Sequence, residues 1–433
     1  MKNILISLSL FSLFLGTSKP AQAQGNYDFQ AQYLRSIDGI LNNINENGSI
    51  LASPSQSEPN YYFDWVRDSS LTMKMVVGLA YDPPTNARLK VKLLQKVDQW
   101  LKWEKLRQDN ARLVNLGEPR FFVNGNVNLD PWGRPQNDGP AIRALTMMKI
   151  ATEWRNSGRF QELKTLLFDS KSPSKSLIKT DLDYIANNWQ EPSFDLWEEE
   201  KGMHYYTLTL QKQALLKGSE LAQTMLDNVS SQIYATQAIH IQDFLSGFID
   251  KKTDPNHFII SYGINISNPL PQKRTRLDLA VLLASIQTFD GHFYLPKGTP
   301  MSTLVNTIDA LKNAFLKEYP INQTEVADDT AASMGIAMGR YPGDVYSGSG
   351  FDGGNPWFLA TLALAEFYCD TGDFKSAHAQ FNRVHKHMGA DGALSEQFNH
   401  TSGYMQGARD LTWSYTSYVS AYRACFLPKY RKN

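Results

Sequence analysis

Cysteine is nearly absent from this chain: Cys369 and Cys425 are the only two in 433 residues. That excludes a disulfide-stapled scaffold and a cysteine-rich zinc site. Net charge is absent too, with 43 Lys and Arg against 43 Asp and Glu. Such a chain lacks the basic excess of a nucleic-acid binder and the low hydrophobicity of a disordered segment, so no nucleic-acid partner is expected. Histidines are scattered, and His385 and His387, two apart on a helix, diverge, where a metal pair would stand three or four apart. No metal or cofactor is expected. Gly348-Ser349-Gly350-Phe351-Asp352-Gly353 fits a phosphate-loop pattern, but no strand precedes it and Asp352 would repel phosphate. Long apolar runs are missing beyond the N-terminus. Residues 276–289 come closest, and they are short and flanked by charge, so no membrane insertion is expected.

The N-terminus itself reads as a leader. Lys2 is followed by an apolar run, Ile4 to Leu15, broken only by serines, and then by Ala21-Gln22-Ala23. This is the pattern of a secretory signal peptide, residues 1–23, and predicts export to the extracellular space or a periplasm. No Ser/Thr/Pro linker or break in composition divides the remainder, so residues 24–433 are expected to form a single domain, acting as a monomer.

What is present in quantity is helix-forming pattern and aromatic side chains. Phe29, Tyr33, Leu34, Ile37, Ile40, Leu41 and Ile44 recur at spacings of three and four, one apolar helix face. Similar runs at about 69–81, 86–107, 140–157, 180–189, 203–224, 229–249, 276–288, 302–317, 356–371, 374–388 and 410–425 bring the number to about twelve. Thr180 reads as the start signal of the fifth. Strand-like alternation is sparse, with His257 to Ile264 the best stretch. The eighth and tenth helices are apolar nearly all round, whereas the third and eleventh carry one charged side. An all-apolar helix belongs inside and an amphipathic one outside. Alternating inner and outer helices, about six of each, describe an all-α toroid, an (α/α)6 barrel. In that toroid Cys369 and Cys425 fall near the ends of parallel inner neighbours. A bridge between them stays open, because it also needs Cα atoms within roughly 7 Å.

The polar, aromatic-rich segments fall between helices. They are 61–69 (YYFDWVRDS), 132–140 (WGRPQNDGP), 195–200 (DLWEEE), 339–346 (GRYPGDVY) and 394–397 (LSEQ) followed by 408–415 (ARDLTWSY). They precede the second, fourth, sixth, tenth and twelfth helices. Inner helices of a toroid run parallel, so these loops should line one mouth. Glycoside hydrolysis needs two carboxyl groups, one to protonate the leaving oxygen and one to act on water or carbon. Glu198, crowded by Glu199 and Glu200 beside Trp197, and Glu396, a lone acid between polar neighbours, are the candidates. Crowded like charges and an adjacent ring can raise a carboxyl pKa, as a general acid requires. Taken singly, each acid could equally serve a helix N-terminus.

All five segments resemble the signature regions of fungal-type glucoamylases, the inverting exo-glucosidases of glycoside hydrolase family 15, in the family's order from about Tyr61 to Tyr415. The resemblance implies an (α/α)6 barrel and release of β-D-glucose from the non-reducing ends of starch, glycogen and maltooligosaccharides. It implies that Glu198 is the general acid and Glu396 the general base. It also implies that Arg67, Asp68, Trp132, Asp195, Leu196, Glu199 and Arg340 hold the first two sugars, that Tyr61 lies under the terminal glucose, and that Trp413 supports the base. Asp64, Val66, Asn137, Glu200 and Gly343 depart from the family's usual residues. No starch-binding domain is expected. Other helical-toroid enzymes, such as a trehalase, another α-glucosidase or a phosphorolytic glycosidase, and a non-catalytic α-glucan binder remain as alternatives. Intact Leu-Ser-Glu-Gln argues against phosphorolysis, and retention of both acids argues against a mere binder.

Overall fold

The computed structural model describes residues 27–81, 86–252, 259–325 and 334–427; the leader at 1–23 lies outside them. Among the described residues twelve helices have nine residues or more. They are α1 (Phe29–Asn42), α2 (Val66–Tyr81), α3 (Ala87–Ala111), α4 (Asp138–Asn156), α5 (Leu177–Asn188) and α6 (Tyr205–Thr224). After them come α7 (Asn228–Leu245), α8 (Ala280–Thr288), α9 (Met301–Glu318), α10 (Phe358–Asp370), α11 (Phe374–His387) and α12 (Thr412–Phe426). Each overlaps one of the twelve periodic runs, with ends that differ by up to four residues.

The even-numbered helices pack each on the next, α2 on α4, α4 on α6, and so on to α12, which returns to α2. That closure makes the inner ring of an (α/α)6 barrel. On its outside α3 leans on α2, α5 on α4, α7 on α6, α11 on α10 and α1 on α12. The patterning explains the division. α8 and α10 are buried almost throughout, while α11 exposes Lys375 and Lys386 and buries a stripe that includes Ala377, Phe381 and Val384, with Arg383 buried beside it.

Side-chain caps occur on four of the six outer helices; α5 and α9 lack one. Asp28, Asn86, Asp227 and Asp373 cap α1, α3, α7 and α11, each accepting from a backbone N–H three residues on. The inner helices α4, α6, α8, α10 and α12 have no side-chain bond from the N-cap residue. Their first turns are tied instead to other loops. Thr412 N donates to Ala52 O, and Tyr205 N to Tyr262 O, both at 2.8 Å; at the start of α2, Val66 N donates to Pro119 O at 2.9 Å. The loops at this end are therefore stitched to one another through the helix starts. Thr180 is not a start signal: α5 begins at Leu177, and Asp181 in its interior pairs with buried Arg143 of α4 at 2.5 Å.

Among the described residues strand is confined to short segments in sheets of two or three. Ser193–Phe194, Lys201–His204 and Gly263–Ser267 form an antiparallel sheet, so residues 195–200 are the turn of a hairpin. The stretch expected around His257 to Ile264 contributes Ile259–Ile260 and the start of Gly263–Ser267; residues 253–258 lie outside the described part. At the opposite end of the ring Cys369 of α10 and Cys425 of α12 are joined by a disulfide, with Cα atoms 5.2 Å apart. Among the described residues no helix is long and apolar enough to cross a membrane.

Candidate active site

The inner helices start at one end of the ring, and a cavity of about 790 Å³ opens there. Tyr61, Arg67, Asp68, Trp132, Leu196, Glu198, Glu199, Arg340, Glu396 and Trp413 all line it, so the structure brings together ten of the eleven residues singled out in the sequence. Asp195 is the exception. It is buried behind the wall and engaged with its own loop.

That engagement shapes the Glu198 turn. Asp195 Oδ1 accepts from the backbone N–H of Glu199 at 2.7 Å and of Glu200 at 3.0 Å, while Glu198 N donates to Asp195 O at 3.0 Å. Within this tight turn Glu198 takes φ +68°, the left-handed region that a side chain disfavours by about 1–2 kcal/mol. The Lys273 ammonium, 2.8 Å from Asp195 Oδ2, holds the Asp195 carboxyl down at about 2 against the effect of burial. Asp195 is thus a permanently charged anchor for the loop.

The three consecutive glutamates point to three different partners. Glu198 Oε1 accepts from Trp65 Nε1 at 2.7 Å and Gln136 Nε2 at 3.1 Å, with Arg67 Nη2 at 3.4 Å. Its Oε2 has no donor among the described residues. Burial raises the Glu198 pKa, partly offset by Arg67, Gln136 and Trp65. Burial, not crowding by Glu199 and Glu200, is therefore the cause. Glu199 pairs with Arg340 at 2.9 Å and Lys273 at 3.0 Å and accepts from Tyr341 OH at 2.8 Å. Glu200 turns into the protein, accepting from Tyr262 OH and from Leu270 N. Its departure from the family's residue is thus met by structural partners. So is that of Asp64, which pairs with buried Arg107 at 2.6 Å.

Glu396 lies at the head of the hairpin Gln397–Phe398 with Met405–Gln406. It accepts from Tyr61 OH at 2.7 Å on Oε1 and from Tyr346 OH at 3.5 Å on Oε2. Burial pushes its pKa up to about 7. Gly407, at φ +68°, sits directly behind it: a Cβ there would stand 2.3 Å from Glu396 Oε2. Only glycine leaves room for the carboxyl.

Two arginines and two tryptophans complete the walls. Arg67 bonds Asp138 at 2.9 Å and Gln136 at 3.0 Å, stands 3.5 Å from Asp68, and lies over the Trp413 ring at 5.8 Å. Burial raises Asp68 to about 6 although Arg67 pulls it down. Arg340 forms a fork on Asp344, both bonds 2.7 Å. Trp132 stands at the mouth, stacked on the Arg120 guanidinium at 3.7 Å. The N-terminal, positive ends of the inner helix dipoles lie at this end, which suits a site built around carboxylates.

Several participants were not singled out in the sequence. Trp65 and Gln136 lie inside the quoted segments with nothing to separate them from their neighbours. Lys273 belongs to a sixth loop, before α8, whose Pro-Gln-Lys-Arg-Thr-Arg run reads as solvated; its side chain is 1% exposed. Among the described residues no group of three or more His, Cys, Asp or Glu is arranged to hold a metal ion.

Comparison with known proteins bears on this arrangement directly. The sequence matches Glycosyl hydrolases family 15 over residues 29–377 and 372–423. A glucoamylase of Blastobotrys adeninivorans is 34% identical over 88% of this chain and 68% of its own. The intracellular, sporulation-specific glucoamylase of Saccharomyces cerevisiae is 30% identical over 91% of this chain and 83% of its own. Among solved structures, the glucoamylase of Saccharomycopsis fibuligera superposes with a TM-score of 0.79 at 26% identity, covering 93% of this chain and 96% of that one. The chain belongs to glycosyl hydrolases family 15.

Proposed function

We propose that this protein hydrolyses α-1,4-linked glucans from their non-reducing ends, releasing β-D-glucose by a single inverting displacement. The enzyme is a glucoamylase-type glycosidase, and starch, glycogen and maltooligosaccharides are its substrates. The observation that carries the mechanism is that two carboxyl groups of raised pKa, Glu198 and Glu396, meet in one cavity and are fixed by different donors.

Glu198 acts as the acid. Its pKa is raised by burial, so it keeps its proton further into the neutral range than an exposed acid. Oε1 is committed to Trp65, Gln136 and Arg67, which leaves Oε2 to carry the proton to the glycosidic oxygen. Glu396 acts as the base. A carboxylate whose conjugate acid titrates near 7 takes a proton from water more readily than an exposed one. Inversion requires the carboxyl groups to stand about 6.5–9.5 Å apart so that water fits between base and sugar. Arg67, Asp68 and Arg340 clamp the hydroxyls of the terminal glucose, Tyr61 lies beneath it, and Trp132 and Leu196 bound the neighbouring sugar. Asp195 acts through the Glu198 turn, and Trp413, expected to support the base, lies under Arg67 and acts through it. Incubation with soluble starch, followed by proton NMR of the first products, tests the reading. β-Glucose alone supports it; initial α-glucose overturns inversion, and early maltose overturns attack from the end.

Export is part of the same reading and is supported by Lys2, the run Ile4 to Leu15 and Ala21-Gln22-Ala23. The Saccharomyces cerevisiae relative is described as intracellular, so the leader decides the matter. N-terminal sequencing of the protein recovered outside the cell should begin at Gln24; a start at Met1 overturns export through this leader.

A further inference from the structure

The end of the ring away from the active site holds a second cavity, of about 420 Å³, between α2, α8, α10 and α12. One residue lines both cavities: Trp413, which separates them.

Two polar groups of this distal cavity, Lys74 and Glu366, have bonding capacity left over. Lys74 of α2 donates to Gln287 O at 2.6 Å, which engages one of the three hydrogens on its ammonium group. Glu366 of α10 accepts from Ser420 OH at 2.8 Å on Oε1, and its Oε2 has no donor among the described residues. The two charges feel one another, yet they do not meet as an ion pair. Burial moves both toward their neutral forms, Lys74 down to about 8 and Glu366 up to about 7. Both side chains are half-buried and face the cavity with bonding capacity left over, so a ligand that satisfies both is favoured.

The chemistry of that ligand follows from the pair. A hydroxyl accepts from an ammonium and donates to a carboxylate at once. The lining carries charges of both signs, Lys74, Lys149 and Arg423 against Asp290, Glu366 and Asp370, so an ion of either sign would meet like charge, whereas a neutral polyol satisfies both Lys74 and Glu366. Apolar wall is supplied by Met75, Leu283 and Trp413, suited to the C–H face of a sugar ring. We propose that the distal cavity is a second binding site, for one neutral monosaccharide-sized polyol, with a hydroxyl bridging Lys74 and Glu366. The class of ligand rests on this cavity alone. The choice of D-glucose as probe rests on the proposed function, since glucose would be the product released at the other face of Trp413.

The test is a calorimetric titration of the full mature chain with D-glucose, together with crystals soaked in the same sugar. Two glucose molecules per chain are expected, falling to one in Lys74→Met and in Glu366→Gln, with turnover of maltose unchanged in both. Density for a sugar in the distal cavity should place one hydroxyl within hydrogen-bond distance of both side chains. A single site in the wild-type chain, or only water in the distal cavity of soaked crystals, overturns the proposal. The wild-type measurements decide it even if a variant fails to fold. Failure of the proposed hydrolysis would show separately, as starch left uncut while distal binding persists.

Discussion

Tyr61 and Trp65 pack edge to face, ring centroids 5.6 Å apart, and each gives its one polar hydrogen to a different carboxyl group, Tyr61 to Glu396 and Trp65 to Glu198. Both bonds favour the charged form of the acid they touch, so both lower its pKa. In Tyr61→Phe the Glu396 pKa should rise by about one unit, the equivalent of ~1.5 kcal/mol for a hydrogen bond to a charged group. The acid limb of kcat/KM then moves to higher pH. In Trp65→Phe the basic limb, set by Glu198, moves to higher pH. Profiles on maltose check both, and a shift toward lower pH in either variant contradicts the assigned roles.

Removing either acid outright should be severe. Glu198→Gln and Glu396→Gln keep the shape of the side chain and lose the proton transfer, with an expected fall in kcat of at least ~10²-fold. Glu199→Gln should instead raise KM more than it lowers kcat, because it loosens Arg340 and Lys273 and leaves both proton carriers in place. Steady-state kinetics on maltose distinguish the two outcomes.

Glu396→Gln should also change stability, with a sign fixed by the folded pKa. Burial raises Glu396 from its ordinary 4.5 to about 7, so between those values the folded chain holds a proton that the unfolded chain has lost. Ionisation of this group therefore destabilises the fold as pH rises through that window, by about 3 kcal/mol at 1.36 kcal/mol per unit. The variant should melt higher than wild type at pH 8 and at the same temperature at pH 4. An equal difference at both pH values would falsify the account.

Gly407→Ala should damage catalysis from behind the base. The new Cβ would stand 2.3 Å from Glu396 Oε2, at a φ of +68° that alanine also resists. The carboxyl must swing away, so kcat should fall ~10-fold or more with KM little changed. A variant with wild-type kcat would show that Glu396 has room to relax.

Replacing Cys369 and Cys425 by Ser should leave kinetics at 25 °C unchanged and lower stability. The bridge closes a segment of 56 residues, for which chain entropy suggests about 4 kcal/mol. Denaturant unfolding of the oxidised and serine forms measures it.

Much of this architecture was legible in the sequence, for physical reasons that also mark where legibility stopped. α8 and α10 could be placed inside because their surfaces are apolar all round, and α3 and α11 outside because theirs are not. Chain order then gathered five loops at one mouth. The sixth was missed because Lys273 becomes a buried counter-ion only once Asp195, Glu199 and Asp278 surround it, and those partners meet only in the folded chain. The glutamate run misled in the same way. Its crowding is real along the chain, but the hairpin fans Glu198, Glu199 and Glu200 apart. The cysteine bridge was undecidable because parallel neighbours fix an end, not a Cα separation.

The ring closes between its first and last members, α2 and α12. A ribosome delivers Arg67, Asp68 and Glu198 long before Glu396, and α12 after that. A half-made chain therefore carries the clamp and the acid with no base opposite them. On the proposed roles, acid and base face one another only in the closed ring, with the last inner helix docked beside the first.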